Sequence, residues 1–75
     1  MHMHQPYYHR ETHKRVIRLD GVMNKTGLGR SVIYMHMKAG TFPQSIKLGA
    51  RAVGWLESDI DDWIDQRIAE TPQAV

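Results

Sequence analysis

Two glycines, Gly27 and Gly40, cut the middle of this chain into short apolar-patterned pieces. Glycine takes the left-handed backbone that closes a helix C-terminus without steric cost. Each glycine therefore predicts the end of a short helix. The first covers residues 21–26, with Asp20 offering an N-cap oxygen and Val22 and Met23 facing inward. The second covers residues 30–39, with Gly29 at its N-cap and Leu28 in the turn. Ile33 and Met37 stand four apart and share one face, while Arg30, Ser31, Tyr34 and Lys38 fall largely on other faces. Two short helices around a glycine-containing turn make a helix-turn-helix candidate.

The flanks read as strands and one longer helix. Residues 16–19 are apolar and β-branched enough for a strand. Thr41, Phe42 and Pro43 break the helical pattern, and proline pushes the residue before it towards extended backbone. Residues 45–48 and 52–56 follow as two strands. Ile46 alternates with Leu48 and Val53 with Trp55, giving each strand one apolar side. Residues 49–51 connect them, so the pair predicts a β-hairpin with Arg51 near its tip. Ser58 opens the last helix, with Asp61 at the capping-box position. Ile60, Trp63, Ile64 and Ile68 form its apolar stripe. Asp59, Asp61 and Asp62 sit in the first turn, where the helix dipole favours negative charge. These acids thus have a structural reason to be there. The apolar neighbours of Trp55 and Trp63 place both indoles in the core rather than against a base.

Composition narrows the function. The chain has 75 residues and no cysteine, which excludes a disulfide scaffold and thiolate metal sites and suits a reducing cytoplasm. No apolar run reaches the ~18 residues of a membrane helix, and no signal-peptide pattern is visible. Residues 1–14 and 71–75 read as flexible tails, leaving 15–70 as one small domain with little room for an enzyme's pocket. His2, His4, His9 and His13 lie in the first tail with neither cysteine nor an acidic cluster to complete a metal site. No nucleophile, base and acid have a reason to converge. No catalysis, cofactor, metal or small-molecule substrate is expected. The charge is split: nine bases oppose two acids up to Gly54, while one base opposes six acids from Trp55 on. A cationic face with an anionic back suits a phosphate polymer.

The segment from Arg18 to Ile68 resembles the AlpA family of small prophage-associated regulators. The match is carried by Arg18-Leu19, Thr26-Gly27-Leu28, Arg30-Ser31, Ile33-Tyr34 and Lys38. It continues through Gly40, Phe42-Pro43, Ile46-Lys47-Leu48-Gly49, Arg51-Ala52-Val53-Gly54-Trp55-Leu56 and Asp62-Trp63-Ile64. The resemblance implies an α+β fold: a small winged helix-turn-helix, three helices with a β-hairpin wing, related to excisionases and to the DNA-binding part of MerR-type regulators. It implies control of an integrase gene or a role in excision. Three positions depart from the family pattern. Gly29 replaces a usual Ser, Met35 a usual Arg, and His36 a frequent Leu. The preferred DNA sequence is expected to shift accordingly.

The residue types suit double-stranded DNA. An arginine at the start of the second helix, Arg30, can pair bidentately with guanine or clamp a phosphate. Ser31 and Tyr34 can donate to phosphate or base, and Lys38 can reach the backbone. Lys47 and Arg51 arm the hairpin for the adjacent minor groove. The expected partners are double-stranded DNA and either an integrase or a second copy on an adjacent site. Two rivals are an excisionase-like protein that bends attachment-site DNA, and a protein-interaction module inhibiting another regulator through its acidic last helix. The absence of a long coiled-coil helix argues against a MerR-type dimer.

Overall fold

The computed structural model describes residues 14–72, and the histidines of the leading segment lie outside that range. The order of elements is β1 (Val16–Ile17), α1 (Leu19–Thr26), α2 (Arg30–Ala39), β2 (Ile46–Lys47), β3 (Val53–Leu56) and α3 (Glu57–Glu70). The two turns at Gly27 and Gly40 close as the sequence predicts, with φ of 76° and 78°. At Gly27 the amide donates to the Met23 carbonyl at 2.8 Å, a single bond closing α1. At Gly40 two bonds close α2: Gly40 N–H to Met37 O and Thr41 N–H to His36 O. Thr26 tightens the inter-helix turn. Its hydroxyl donates to Val22 O and accepts from the Leu28 amide.

The strands form one antiparallel sheet in the order β1-β3-β2. Ile17 pairs with Trp55 and Lys47 with Val53. β2 and β3 are the wing hairpin, closed by Leu48 N–H to Ala52 O at 2.7 Å. All three strands are shorter than the sequence suggests. Ile46, Leu48 and Val53 are each more than a third exposed, so the expected apolar side of the hairpin reaches the core only at Trp55. The wing projects past the point where helices can cover it.

Val22, Ile33, Phe42, Trp55 and Ile60 are buried and come from α1, α2, the loop after α2, β3 and α3. Ile17, Leu19, Met23, Leu28, Met37, Trp63 and Ile64 pack around them. Trp55 is fully buried, with its Nε1–H donating to Pro43 O. Trp63 is only partly buried. It donates to Thr41 O at 2.8 Å and meets Phe42 edge to face at 4.9 Å. The two indoles thus hold the loop between α2 and the wing from both sides.

Three expectations from sequence are corrected. Asp20 does not cap α1. The helix starts at Leu19 with Arg18 as N-cap, because including Leu19 lets that side chain pack on the core. Ser58 does not open α3, and no capping box forms. The helix starts at Glu57 directly from β3, and the Glu57 amide is satisfied by Arg15 O at 2.7 Å. The carbonyl of Arg15, just before β1, takes the place of the side-chain cap. Ile68 is 58% exposed, because α3 outruns the core that its stripe faces. At the other end of the chain's described part, Thr71 is bonded rather than free: its N–H and hydroxyl donate to Ile68 O and Arg67 O. Among the described residues, no helix is long and apolar enough to cross a membrane.

Candidate nucleic-acid interface

α2 turns one polar arc to solvent. At about 100° per residue, Arg30, Ser31, Tyr34, Met35 and Lys38 fall within one contiguous arc of about 140°. All five are exposed, while Ile33 on the opposite side is buried and Val32, His36 and Met37 are half-buried. The inward side chains fix the rotation of the helix, and that rotation presents the arc.

The wing lies beside the N-terminal end of that arc. A groove of about 460 Å³ opens there, with Leu19 and Val53 as its apolar lining. Its polar wall is Arg30 and Tyr34 from α2, Arg51 from the wing tip, and Arg18 with Asp20 from the start of α1. Three guanidiniums and a phenol from three separate segments therefore share one concavity, with Asp20 as its carboxylate. Guanidinium forks suit phosphate oxygens and guanine edges. Of the six residues singled out from sequence, the groove brings together Arg30, Tyr34 and Arg51. Ser31 and Lys38 share the α2 arc but stand outside the groove. Lys47 is exposed on β2, across from Val53. Arg18 was not among the six. β1 runs antiparallel to β3 and delivers it to the mouth of the wing, a placement no local pattern reveals.

The pairing of charges separates the two sides of the domain. Among the described residues, Arg18, Arg30, Lys38, Lys47 and Arg51 make no ion pair, while Arg15, Lys25 and Arg67 do. Lys25 bridges α1 to α3, with Nζ 2.6 Å from Asp61 and 3.1 Å from Glu57. Hydrogen bonds to Asp61 first, then Glu57, raise its pKa above the ordinary lysine value. Arg15 adds a looser contact to Glu57 at 3.8 Å. The acids of the last helix are thus partly used as cross-braces on the back of the domain. Among the described residues, the bases of α2 and the wing have no carboxylate partner. Among the described residues, no group of three His, Asp or Glu side chains could hold a metal ion.

A family profile described as "Prophage CP4-57 regulatory protein (AlpA)" matches residues 15–68. The chain belongs to the AlpA family. The matched span holds all three strands, both helices of the helix-turn-helix and most of α3, and with them every polar residue of the groove. Among its relatives is the "DNA-binding transcriptional activator AlpA" of Escherichia coli (strain K12). The two are 42% identical over an alignment of 59 positions, with 71% of this chain and 84% of that protein covered. An "Uncharacterized protein ORF88" of Enterobacteria phage P4 is 41% identical over 58 residues, covering 77% of this chain and 66% of that one. This AlpA-family chain therefore carries the winged helix-turn-helix architecture that its motifs imply, with the α2 arc and the wing on one side.

Proposed function

We propose that this protein is a sequence-specific DNA-binding transcriptional regulator, associated with a prophage or another mobile element, that acts in the cytoplasm by binding rather than catalysis. The observation that carries the reading is the groove shared by Arg18, Arg30, Tyr34 and Arg51, whose guanidiniums have no carboxylate partner among the described residues. The E. coli relative's description as a DNA-binding transcriptional activator supports it, as does the relative from a phage.

In this mechanism α2 enters the major groove and Arg30, at its first turn, meets a base edge. Ser31, Tyr34 and Lys38 flank it on the same arc and contact phosphate or base. The wing carries Arg51 and Lys47 to the neighbouring backbone or minor groove, and Arg18 clamps a phosphate between them. An integrase gene is the natural target.

The test is a paired titration on a selected cognate duplex and a scrambled one, with circular dichroism as the folding control. Arg30→Ala is expected to lose about 1–3 kcal/mol on the cognate site and to flatten discrimination. Arg51→Ala is expected to weaken both duplexes alike. Affinity should also fall with salt, by about 0.9 log units per log of salt for each of roughly four to six phosphates. A folded Arg30→Ala variant that binds both duplexes like the parent removes α2 as the reading element.

A further inference from the structure

The solvent arc of α2 contains one residue that the electrostatic account leaves idle. Met35 is 60% exposed, the most exposed of the large apolar side chains among the described residues. Its arc neighbours are polar or amphipathic: Ser31 one turn before it, Lys38 almost one turn after it, and Tyr34 beside it. Among the described residues nothing packs over it, although Met37, two residues on, packs against the core. The rotation of α2 is set by Ile33 and Met37, so Met35 cannot be turned inward without unseating them.

We propose that Met35 is a specificity-determining residue that reads a thymine through its 5-methyl group. The proposal rests on α2 being the helix that enters the major groove. There the thymine methyl is the apolar group that a base pair displays, and apolar side chains recognise it by contact. Methionine suits the task because its unbranched, polarisable thioether adapts to an uneven surface. It cannot donate a hydrogen bond and accepts only weakly, so apolar contact with a thymine methyl is its main means of favouring one base. Position follows from helix geometry. Met35 lies five residues beyond Arg30, about 7.5 Å along the axis at 1.5 Å per residue. With bases stacked about 3.4 Å apart, the thymine lies at most about two or three base pairs from the base that meets Arg30.

The experiment uses the full chain and a cognate duplex chosen by selection from random DNA. Each thymine of that duplex is replaced in turn by deoxyuridine, which removes the methyl and leaves the pairing edge intact. Parent protein and Met35→Ala are titrated on every duplex. The expected result is one thymine position at which methyl removal weakens the parent about fourfold, as for one buried methyl-sized group. The same removal leaves Met35→Ala unchanged. That position lies within about two or three base pairs of the base whose discrimination Arg30→Ala removes. A parent indifferent to every methyl, or a methyl effect of equal size in Met35→Ala, overturns the assignment while α2 reading stands. Failure to select any sequence, or selection that survives Arg30→Ala intact, overturns the DNA-reading role of α2 and this assignment with it.

Discussion

Replacing Gly54 by alanine separates two opposed effects that the structure allows to be weighed. Gly54 is buried in β3, the central strand, and does not use a left-handed backbone. In an unfolded chain alanine has fewer states to lose, which by itself stabilises by about 0.4–1 kcal/mol. In the folded chain its Cβ would stand 2.5 Å from Val16 Cγ1, 3.0 Å from Ile17 O and 3.0 Å from Leu48 Cδ1. Carbon atoms pack comfortably at about 3.5–4.0 Å, so about 1 Å must be found at Val16. Leu48 is exposed and can swing aside. Val16 is β-branched and stiff at χ1. The Ile17 carbonyl belongs to the backbone of β1 and cannot retreat without loosening the pairing of Ile17 with Trp55. Overpacking of this kind costs about 1–3 kcal/mol. The steric term wins, leaving a net loss of about 1–2 kcal/mol and a melting temperature lower by about 5–15 °C. Thermal melts followed by far-ultraviolet circular dichroism measure it. Gly49→Ala, where an added Cβ meets nothing within 4 Å, is the control and should shift little. A Gly54→Ala domain that melts at or above the parent temperature would refute the close approach of β1 to β3.

Four further outcomes follow from other contacts. Gly29→Ser should stabilise by about 0.5–1 kcal/mol, read from the urea midpoint. Its backbone already has the extended N-cap conformation (φ −82°), and the site is open. An unchanged midpoint would mean that the α2 start is satisfied some other way. Trp55→Ala should cost about 3–5 kcal/mol, comparable to the whole stability of so small a domain, and its spectra should be those of an unfolded chain. Trp63→Ala should cost about half as much and leave a cooperative transition, because its ring is partly exposed and its main ties are to Thr41 and Phe42; equal losses would contradict the different burial. The raised pKa of Lys25 means its bridge to Asp61 and Glu57 is fully present below pH 10.5 and is lost as pH rises through the higher folded value. Stability of the parent should therefore fall more steeply above pH 10.5 than that of Lys25→Met, and parallel curves would show the bridge to be inert.

Helix ends were legible in the sequence where their cause is local. Gly27 and Gly40 terminate α1 and α2 because a left-handed residue is needed there, and glycine supplies it from its own chemistry. Of the helix starts, only that of α2 was legible, at Arg30 after Gly29; those of α1 and α3 were not. The amide at Glu57 finds its partner in Arg15, 42 positions away, so the plausible cap at Ser58 is bypassed. Strands of two residues carry no alternation to read, which is why the lengths of β1 and β2 and the covered side of the wing escaped. The stripe through Ile68 gave the direction of the core but not where it stops. At the candidate site, Arg30 and Arg51 were legible from motif and helix position, whereas Arg18 required the pairing of β1 with β3. Met35 was legible only as a departure from a family pattern; its exposure depends on how Ile33 and Met37 dock.

The join between β3 and α3 has no connecting residue: Leu56 ends the strand and Glu57 begins the helix. Length changes in the two ends of β3 therefore have unlike effects. At the tip, around residues 49–51, added residues lengthen the wing and leave the sheet register alone, so how far Arg51 projects beyond the sheet is adjustable by insertion. At the join, one added residue would rotate all of α3 by about 100° relative to the sheet, turning Ile60 and Ile64 away from Trp55. It would also swing Asp61 out of reach of Lys25. The wing tip thus tolerates changes of length that the join does not.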